Sequence, residues 1–365
     1  MASDPAAPSA VAGLVVALQA NYCWVELDHP GPGGELRLLC TRRTRLGKSG
    51  QTICVGDRVR LEGVDWAAGR GAVAALEPRA TRLDRPAVAN VTRIVVVASL
   101  AEPLLDPLQL TRFLLTAEAT GCAVLLVFSK ADLLPPAEVA SWCSRGRAWG
   151  YEPVAVSSAT GMGLEVLRER LSGPGISVLC GPSGVGKSSV LNGLLPGLEL
   201  RVGEVSGRLQ RGRHTTRHVE LFPLAPSARV ADTPGFNRPL LPPDPAALAP
   251  LFPEVRAALA RHGGCRFSNC LHLGEPGCVL GLEWDRWPLY RQCLAVLQAD
   301  AERRGTRPAS SAEGPGLRRR GGGLEPRLAP QLRQVSRRRQ RQQVASESEL
   351  PNALPSEPPA GAEEC

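Results

Sequence analysis

Apolar and polar residues alternate in short runs from Gly13 to Asp28 and from Leu36 to Glu62. The turn-forming stretches Gly31-Pro32-Gly33-Gly34 and Val55-Gly56-Asp57 punctuate them. The pattern predicts a small all-β unit that ends near Glu77-Pro78. From Asn90 the texture changes. Ile94 to Ala98 and Ala123 to Phe128 are continuous apolar runs, as parallel strands covered on both faces require. Between them, Leu110, Phe113, Leu114 and Ala117 fall at helical spacing within Pro107 to Ala119. Pro153 to Val156, Ile176 to Cys180 and Val230 to Ala231 complete a set of strands alternating with helices, which argues for a doubly wound α/β sheet. From about Pro242 to Ala301 the pattern becomes helical and cysteine-bearing. Trp287, Tyr290, Leu294 and Leu297 form one stripe there, of the kind that packs a domain. Beyond Arg303 the chain is low-complexity and carries too little apolar surface to fold alone.

These shifts divide the chain into five parts. Residues 1–10 and 302–365 are expected to be disordered tails, the second rich in Arg. Between them lie a β-barrel at 11–80, an α/β domain at 81–241 and a helical domain at 242–301. The 365 residues have room for such domains and their cores, and a hydrophobic content of 43% excludes wholesale disorder.

Charge adds a partner class. The formal net charge is +8, which favours a polyanionic partner, although part of the excess sits in Arg318-Arg319-Arg320 and Arg337-Arg338-Arg339 of the tail. Arg42, Arg43, Arg45 and Lys48 cluster in the segment Thr41 to Lys48. A small barrel with a basic loop fits an oligonucleotide-binding OB-fold. A β domain with a solvated basic loop fits the same residues. The N-terminal residues carry no basic segment followed by an apolar one, so no signal peptide is expected. No apolar run approaches the roughly 20 residues needed to span a bilayer. Eleven cysteines are then read as buried thiols or metal ligands in a reducing, cytoplasmic setting.

The chemistry is concentrated in four motifs. Gly181, Pro182, Ser183, Gly184, Val185, Gly186, Lys187 and Ser188 fully match the P-loop pattern. They follow the apolar strand Ile176 to Cys180, and Ser189, Val190, Leu191 and Leu194 continue into a helix. Such a loop curls backbone N–H groups around phosphates at a helix N-terminus, with Lys187 reaching the β- and γ-phosphates and Ser188 ligating Mg²⁺. Asp232-Thr-Pro-Gly235 supplies the expected second half, a carboxylate for Mg²⁺ through water and a Gly235 N–H for the γ-phosphate. Ser129, Lys130, Ala131 and Asp132 close the strand Ala123 to Phe128. An Asp there accepts from guanine N1–H and the exocyclic amine, which adenine cannot match, while the Lys stem packs along the base. GTPases usually carry Asn where Ser129 stands, so one guanine-side hydrogen bond is in question. Ser157 and Ser158, after the strand Pro153 to Val156, fit a loop whose backbone N–H meets guanine O6.

The fourth motif is Cys265-x4-Cys270-x-His272-x5-Cys278. Three thiolates and one imidazole suit one closed, tetrahedral and structural Zn²⁺ site. The other three motifs and the Ser157-Ser158 loop occur in the order base, base, phosphate, γ-phosphate sensor, whereas ordinary GTPases begin with the phosphate loop. Joining the old ends and opening the chain elsewhere preserves such a site.

This order, together with Arg211-Gly-Arg-His-Thr-Thr216 and the run from Cys265 to Cys278, resembles the RsgA (YjeQ/EngC) type of circularly permuted GTPase over roughly Gly13 to Ala301. The resemblance implies an N-terminal OB-fold, a central permuted P-loop GTPase domain and a C-terminal zinc domain. It implies a monomeric, cytoplasmic factor with GTP, Mg²⁺ and zinc. Its partner would be the small (30S) ribosomal subunit and its rRNA, which would stimulate hydrolysis to GDP during late maturation. Carried over by residue, Thr215 or Thr216 becomes the switch threonine and His214 a candidate for positioning water. Phe236 stands where many GTPases place glutamine, so intrinsic turnover should be slow. Arg217 replaces a third Thr of many members. Two alternatives remain: an RNA-binding assembly module with a structural nucleotide, and an ATP-dependent phosphoryl-transfer enzyme.

Overall fold

A computed structural model of the chain describes residues 11–19, 21–42, 52–84, 86–198, 219–232 and 239–303, and the strand pairing of 317–320 with 323–326. Five strands make the first unit: β1 (Val11–Leu18), β2 (Tyr22–Leu27), β3 (Arg37–Arg42), β4 (Arg58–Asp65) and β5 (Arg70–Leu76). Their order is β1-β2-β3-β5-β4, and β4 pairs back onto β1, so the sheet closes into a barrel with no free edge. The alternation read from the sequence becomes an inward row of Val15, Cys23, Val25, Leu38, Cys40, Val59 and Val73, all buried in one cluster. Cys23 and Cys40 face each other across β2 and β3. Burial pushes their thiols up to about 11 and about 12, so they act as small apolar fillers.

A short ribbon of β6 (Arg82–Asp84) and β7 (Ala87–Ala89) leads into the α/β unit. There β8 (Val91–Ser99), α1 (Pro107–Glu118), β9 (Ala123–Ser129), α2 (Pro136–Ala148), β10 (Val154–Ala155), α3 (Leu164–Leu171), β11 (Gly175–Cys180) and α4 (Lys187–Leu194) alternate. The hairpin of β12 (Glu220–Ala225) and β13 (Ala228–Asp232) completes the sheet. The order is β10-β9-β8-β11-β13-β12, parallel except for β12.

The apolar runs of β8 and β9 are continuous because each face has its own cover. Ile94, Val96, Ala98, Leu126 and Phe128 pack with Leu110, Phe113 and Leu114 of α1. Val95, Val97, Leu125 and Val127 pack with Leu167 of α3 and Val190, Leu191 and Leu194 of α4.

The expected division near residue 80 falls between β5 and β6, yet the two units share a core there. Val16 and Val55 of the barrel belong to the same buried cluster as Ile94 and Ile176. Ala17 of β1 pairs with Glu220 of β12, so the barrel and the α/β sheet form one run of strands. Arg229 of β13 also binds Glu26 of β2.

After β13 come two short 3-10 turns, α5 (Pro253–His262), an irregular segment and α6 (Trp287–Arg303). Most of the expected stripe is buried: Tyr290, Leu294 and Leu297 join Phe252, Leu248 and Leu115 of α1, while Trp287 packs half-buried against them. Asp285 and Arg286 fasten this unit to the loop after α2. Arg286, fully buried, binds Glu254 at 2.5 Å and lies over the rings of Phe252 (4.7 Å) and Trp149 (5.0 Å). Asp285 accepts from Trp149 Nε1 at 2.7 Å and from Arg145 at 3.1 Å. Within the tail, β14 (Leu317–Arg320) and β15 (Gly323–Pro326) pair antiparallel, a two-stranded ribbon of the kind that is marginal alone.

Asp57 carries a second buried ionic contact. Its fully buried carboxylate accepts from Cys54 N (2.7 Å), Arg79 Nε (2.6 Å) and Arg79 Nη2 (2.8 Å), tying the β3–β4 connection to the strand exit after β5. Replacing it leaves the buried Cys54 N–H without its acceptor and Arg79 with only the Thr52 carbonyl. Asp57→Ala is expected to destabilise the barrel by about 3 kcal/mol, measured by denaturant unfolding followed on a barrel probe such as Trp24.

Candidate functional site

The phosphate side is built where β11 ends. At Gly181 the chain turns with φ of +140°, and a Cβ there would strike the carbonyl of Val97 on β8. Glycine is therefore required for the loop to leave the sheet against its neighbour. Gly186, with φ of +85°, is the N-cap of α4. Lys187 Nζ donates to Gly181 O at 2.9 Å and to Pro182 O at 2.7 Å, so its ammonium lies within the curl of the loop. Ser183 is exposed, Ser188 and Ser189 are half-buried on the first turn of α4, and Val185 is buried. Cys180 lies buried just before the loop. Burial pushes its thiol far up despite the nearby Lys187, as for a cysteine that packs the core.

The two loops expected to face a base are built at the ends of β9 and β10. Lys130 adopts a left-handed conformation (φ +54°), and the turn Ala131–Leu133 follows. The Ala131 N–H donates to Val156 O at 3.1 Å and the Val156 N–H to Phe128 O at 2.7 Å, which stitches the two base loops together. Asp132 is exposed beside them. Lys130 Nζ donates to Glu102 O, and its Cε lies 3.9 Å from where a Cβ on Gly186 would be. The lysine stem thus crosses from the base loop to the phosphate loop.

Ser157 and Ser158 have different positions. Ser157 is buried and its Oγ accepts from Ala159 N (3.2 Å) and Thr160 N (3.1 Å), shaping the turn. Ser158 is exposed at its tip. Ser129 differs most from expectation. It is 2% exposed, and its hydroxyl donates to the Val185 carbonyl of the phosphate loop at 2.6 Å.

Asp232 ends β13 beside β11, at the same edge of the sheet as the phosphate loop. Gly235, His214, Thr215 and Thr216 lie outside the described residues, as do Arg211, Arg217 and Phe236.

The four metal-ligand candidates converge. Cys265, Cys270, His272 and Cys278 bring their ligand atoms within 4.8 Å of one another. His272 Nδ1 lies 3.5 Å from Cys265 Sγ, 3.7 Å from Cys270 Sγ and 3.5 Å from Cys278 Sγ, and Cys265 Sγ is 4.0 Å from Cys278 Sγ. A tetrahedral centre with ordinary zinc bond lengths has edges of about 3.6 Å for N–S and about 3.8 Å for S–S. The donor set fits a metal of that size. Burial lowers the His272 pKa, which keeps the ring neutral and able to bind through Nδ1. Burial pushes the Cys270 and Cys278 thiols up, so each gives up a proton on metal binding.

Sequence reading missed Glu275. Its carboxylate accepts from Leu271 N (2.9 Å) and Leu273 N (2.7 Å) and lies 3.5 Å from Cys270 Sγ. Burial would raise its pKa, but the backbone N–H groups and the thiol outweigh that and hold the carboxyl below its ordinary range. A carboxylate inside a Cys-x-His…Cys loop is the signal that points to it. Tyr290 closes the same loop from α6, donating to Leu271 O at 2.5 Å.

Among the described residues, no helix is long and apolar enough to cross a membrane. A family model for the RsgA GTPase matches residues 76–241. The small ribosomal subunit biogenesis GTPase RsgA of Synechococcus sp. (strain CC9605) is 58% identical over 288 residues, 79% of this chain and 94% of that protein. The crystal structure of YjeQ from Thermotoga maritima superposes with a TM-score of 0.66 at 30% identity, over 80% of this chain and 99% of that one. YloQ, a circularly permuted GTPase, superposes with a TM-score of 0.65 at 24% identity over 82% of this chain and 98% of its own, and supports the fold. With base loops, phosphate loop and Asp232 in permuted order on one sheet edge, this chain belongs to the RsgA family of circularly permuted, GTP-hydrolysing enzymes.

Proposed function

We propose that this GTPase binds the small (30S) ribosomal subunit through its rRNA, assists late maturation of the subunit, and hydrolyses GTP fastest when bound there. The observation that carries the reading is the stitched pair of base loops facing the phosphate loop, with the lysine stem of Lys130 running between them. The name of the Synechococcus relative supplies the subunit.

In this reading the backbone N–H groups from Gly181 to Ser189 cradle the phosphates and Lys187 neutralises the β- and γ-oxygens. Asp132 accepts from the guanine Watson–Crick edge, Lys130 and Ala131 pack the base, and backbone N–H groups of Ser157 and Ser158 face O6. Ser188 directly and Asp232 through water would hold Mg²⁺, which when bound neutralises charge across the phosphates. The Gly235 N–H and Thr215 or Thr216 sense the γ-phosphate, and His214 orients water. The metal at Cys265, Cys270, His272 and Cys278 is zinc, and its role is structural because four protein ligands leave no open position. The barrel at 11–80 and the zinc unit at 242–301 flank a GTPase domain at 81–241 and grip rRNA through basic side chains. The factor works in the cytoplasm as a single chain.

Purified small subunits test the reading directly. GTP hydrolysis is expected to rise strongly on adding them and ATP hydrolysis to stay low, whereas equal use of ATP or no stimulation would overturn it. Lys187→Ala is expected to lower subunit-stimulated turnover by about 10²- to 10³-fold, read as phosphate release. For the metal, protons compete with zinc for the raised thiols, so zinc affinity should rise with pH and fall on acidification. Glu275→Gln should weaken zinc by about 10- to 100-fold, scored by competition with a chromogenic chelator.

A further inference from the structure

We infer that Ser129 is a positioning residue for the phosphate loop, and that the guanine site therefore does not read the purine N7. The inference rests on the guanine-site reading above and refines how that site recognises its base.

Ser129 closes β9 opposite Ser99 of β8, and its side chain is almost wholly buried. A hydroxyl has one hydrogen to donate. Here that hydrogen goes to Val185 O at 2.6 Å, the other acceptor in reach, Ala98 O, lying farther off at 3.2 Å. Guanine N7 is an acceptor, so the hydroxyl has nothing left to offer it. The next side chain, Lys130, has its Nζ turned to Glu102 O. An amide at position 129 would carry two N–H groups, one for the loop carbonyl and one for N7. The serine keeps the first of these contacts and lacks the second.

The retained contact has a definite effect. Val185 stands between Gly184 (φ +80°) and Gly186 (φ +85°), two residues with wide backbone freedom. The peptide joining Val185 to Gly186 is planar and trans, so fixing its oxygen fixes the Gly186 N–H on the opposite side. That N–H belongs to the phosphate cradle at the start of α4. Ser129 thus acts on the phosphates through the peptide it holds, from a position in the base loop.

The test compares binding of GDP, 7-deaza-GDP and ADP to the full chain, to Ser129→Ala and to Ser129→Asn. The wild-type chain is expected to bind GDP and 7-deaza-GDP within about twofold of each other, since no hydrogen bond to N7 is lost. Ser129→Asn should create a preference for GDP of about three- to tenfold. Ser129→Ala should weaken both guanine nucleotides by the same factor, about fivefold. A wild-type preference for GDP over 7-deaza-GDP of about threefold or more would sink the assignment, and this outcome needs no variant to fold. So would a Ser129→Ala chain that binds both as tightly as wild type. A wild-type chain that binds ADP as well as GDP would instead bring down the guanine-site reading, and the inference with it.

Discussion

The two-sided burial of β8 and β11 is the constraint on which the rest of the molecule depends. These parallel neighbours are covered by helices on both faces, so their backbones cannot shift without disturbing two cores at once. The phosphate loop then leaves β11 so close to β8 that only a glycine fits at its first turn. Base loops from β9 and β10 and the Asp232 end of β13 leave the same edge of the same sheet. Loop positions follow from strand positions, and strand positions do not record the order in which the chain visits them. A permuted chain can therefore build the site of an unpermuted one.

The flanking units are joined to this sheet by different physics on the two sides. The barrel shares apolar core, one strand pairing and the Glu26–Arg229 ion pair with it. The C-terminal unit shares Leu115 of α1 and adds a buried guanidinium between aromatic rings. Removing a buried charge from its partner is costly, so Glu254 holds Arg286 in place within that unit, from where the guanidinium reaches across to the Trp149 ring. It is anchored beside Trp149, just ahead of β10 and the second base loop. The C-terminal unit is thus held to the β10 side of the sheet.

The sequence made much of this legible where a short segment carries its own context. The phosphate loop has an apolar strand before it and a helical stripe after it, and the four metal ligands span one short loop. The closed barrel was harder to read, because alternation gives strands without saying that β4 returns to β1. The β12 strand was not legible at all: Glu220-Leu-Phe-Pro-Leu-Ala has no clean alternation and carries a proline, and its pairing partners are β13 and the distant β1. Ser129 showed only as a departure from the usual asparagine. Its bond to Val185 joins residues 56 apart in sequence, and no local pattern marks it. Asp285 and Arg286 leave no local mark either, because their partners Arg145, Trp149 and Glu254 are distant in sequence.

The strand order also bears on how the chain is made. Synthesis releases the barrel first, and its closure needs nothing beyond β5. The base loops emerge next, on strands β8, β9 and β10 that are already neighbours. The phosphate loop follows, and only the arrival of β12 and β13 fills the gap between the central sheet and the waiting β1. The loops after β9, β10 and β11 and the end of β13 thus stand together only once all of these strands have left the translating ribosome. From that moment, mass action from the cellular nucleotide pool favours the finished molecule over any partly folded predecessor.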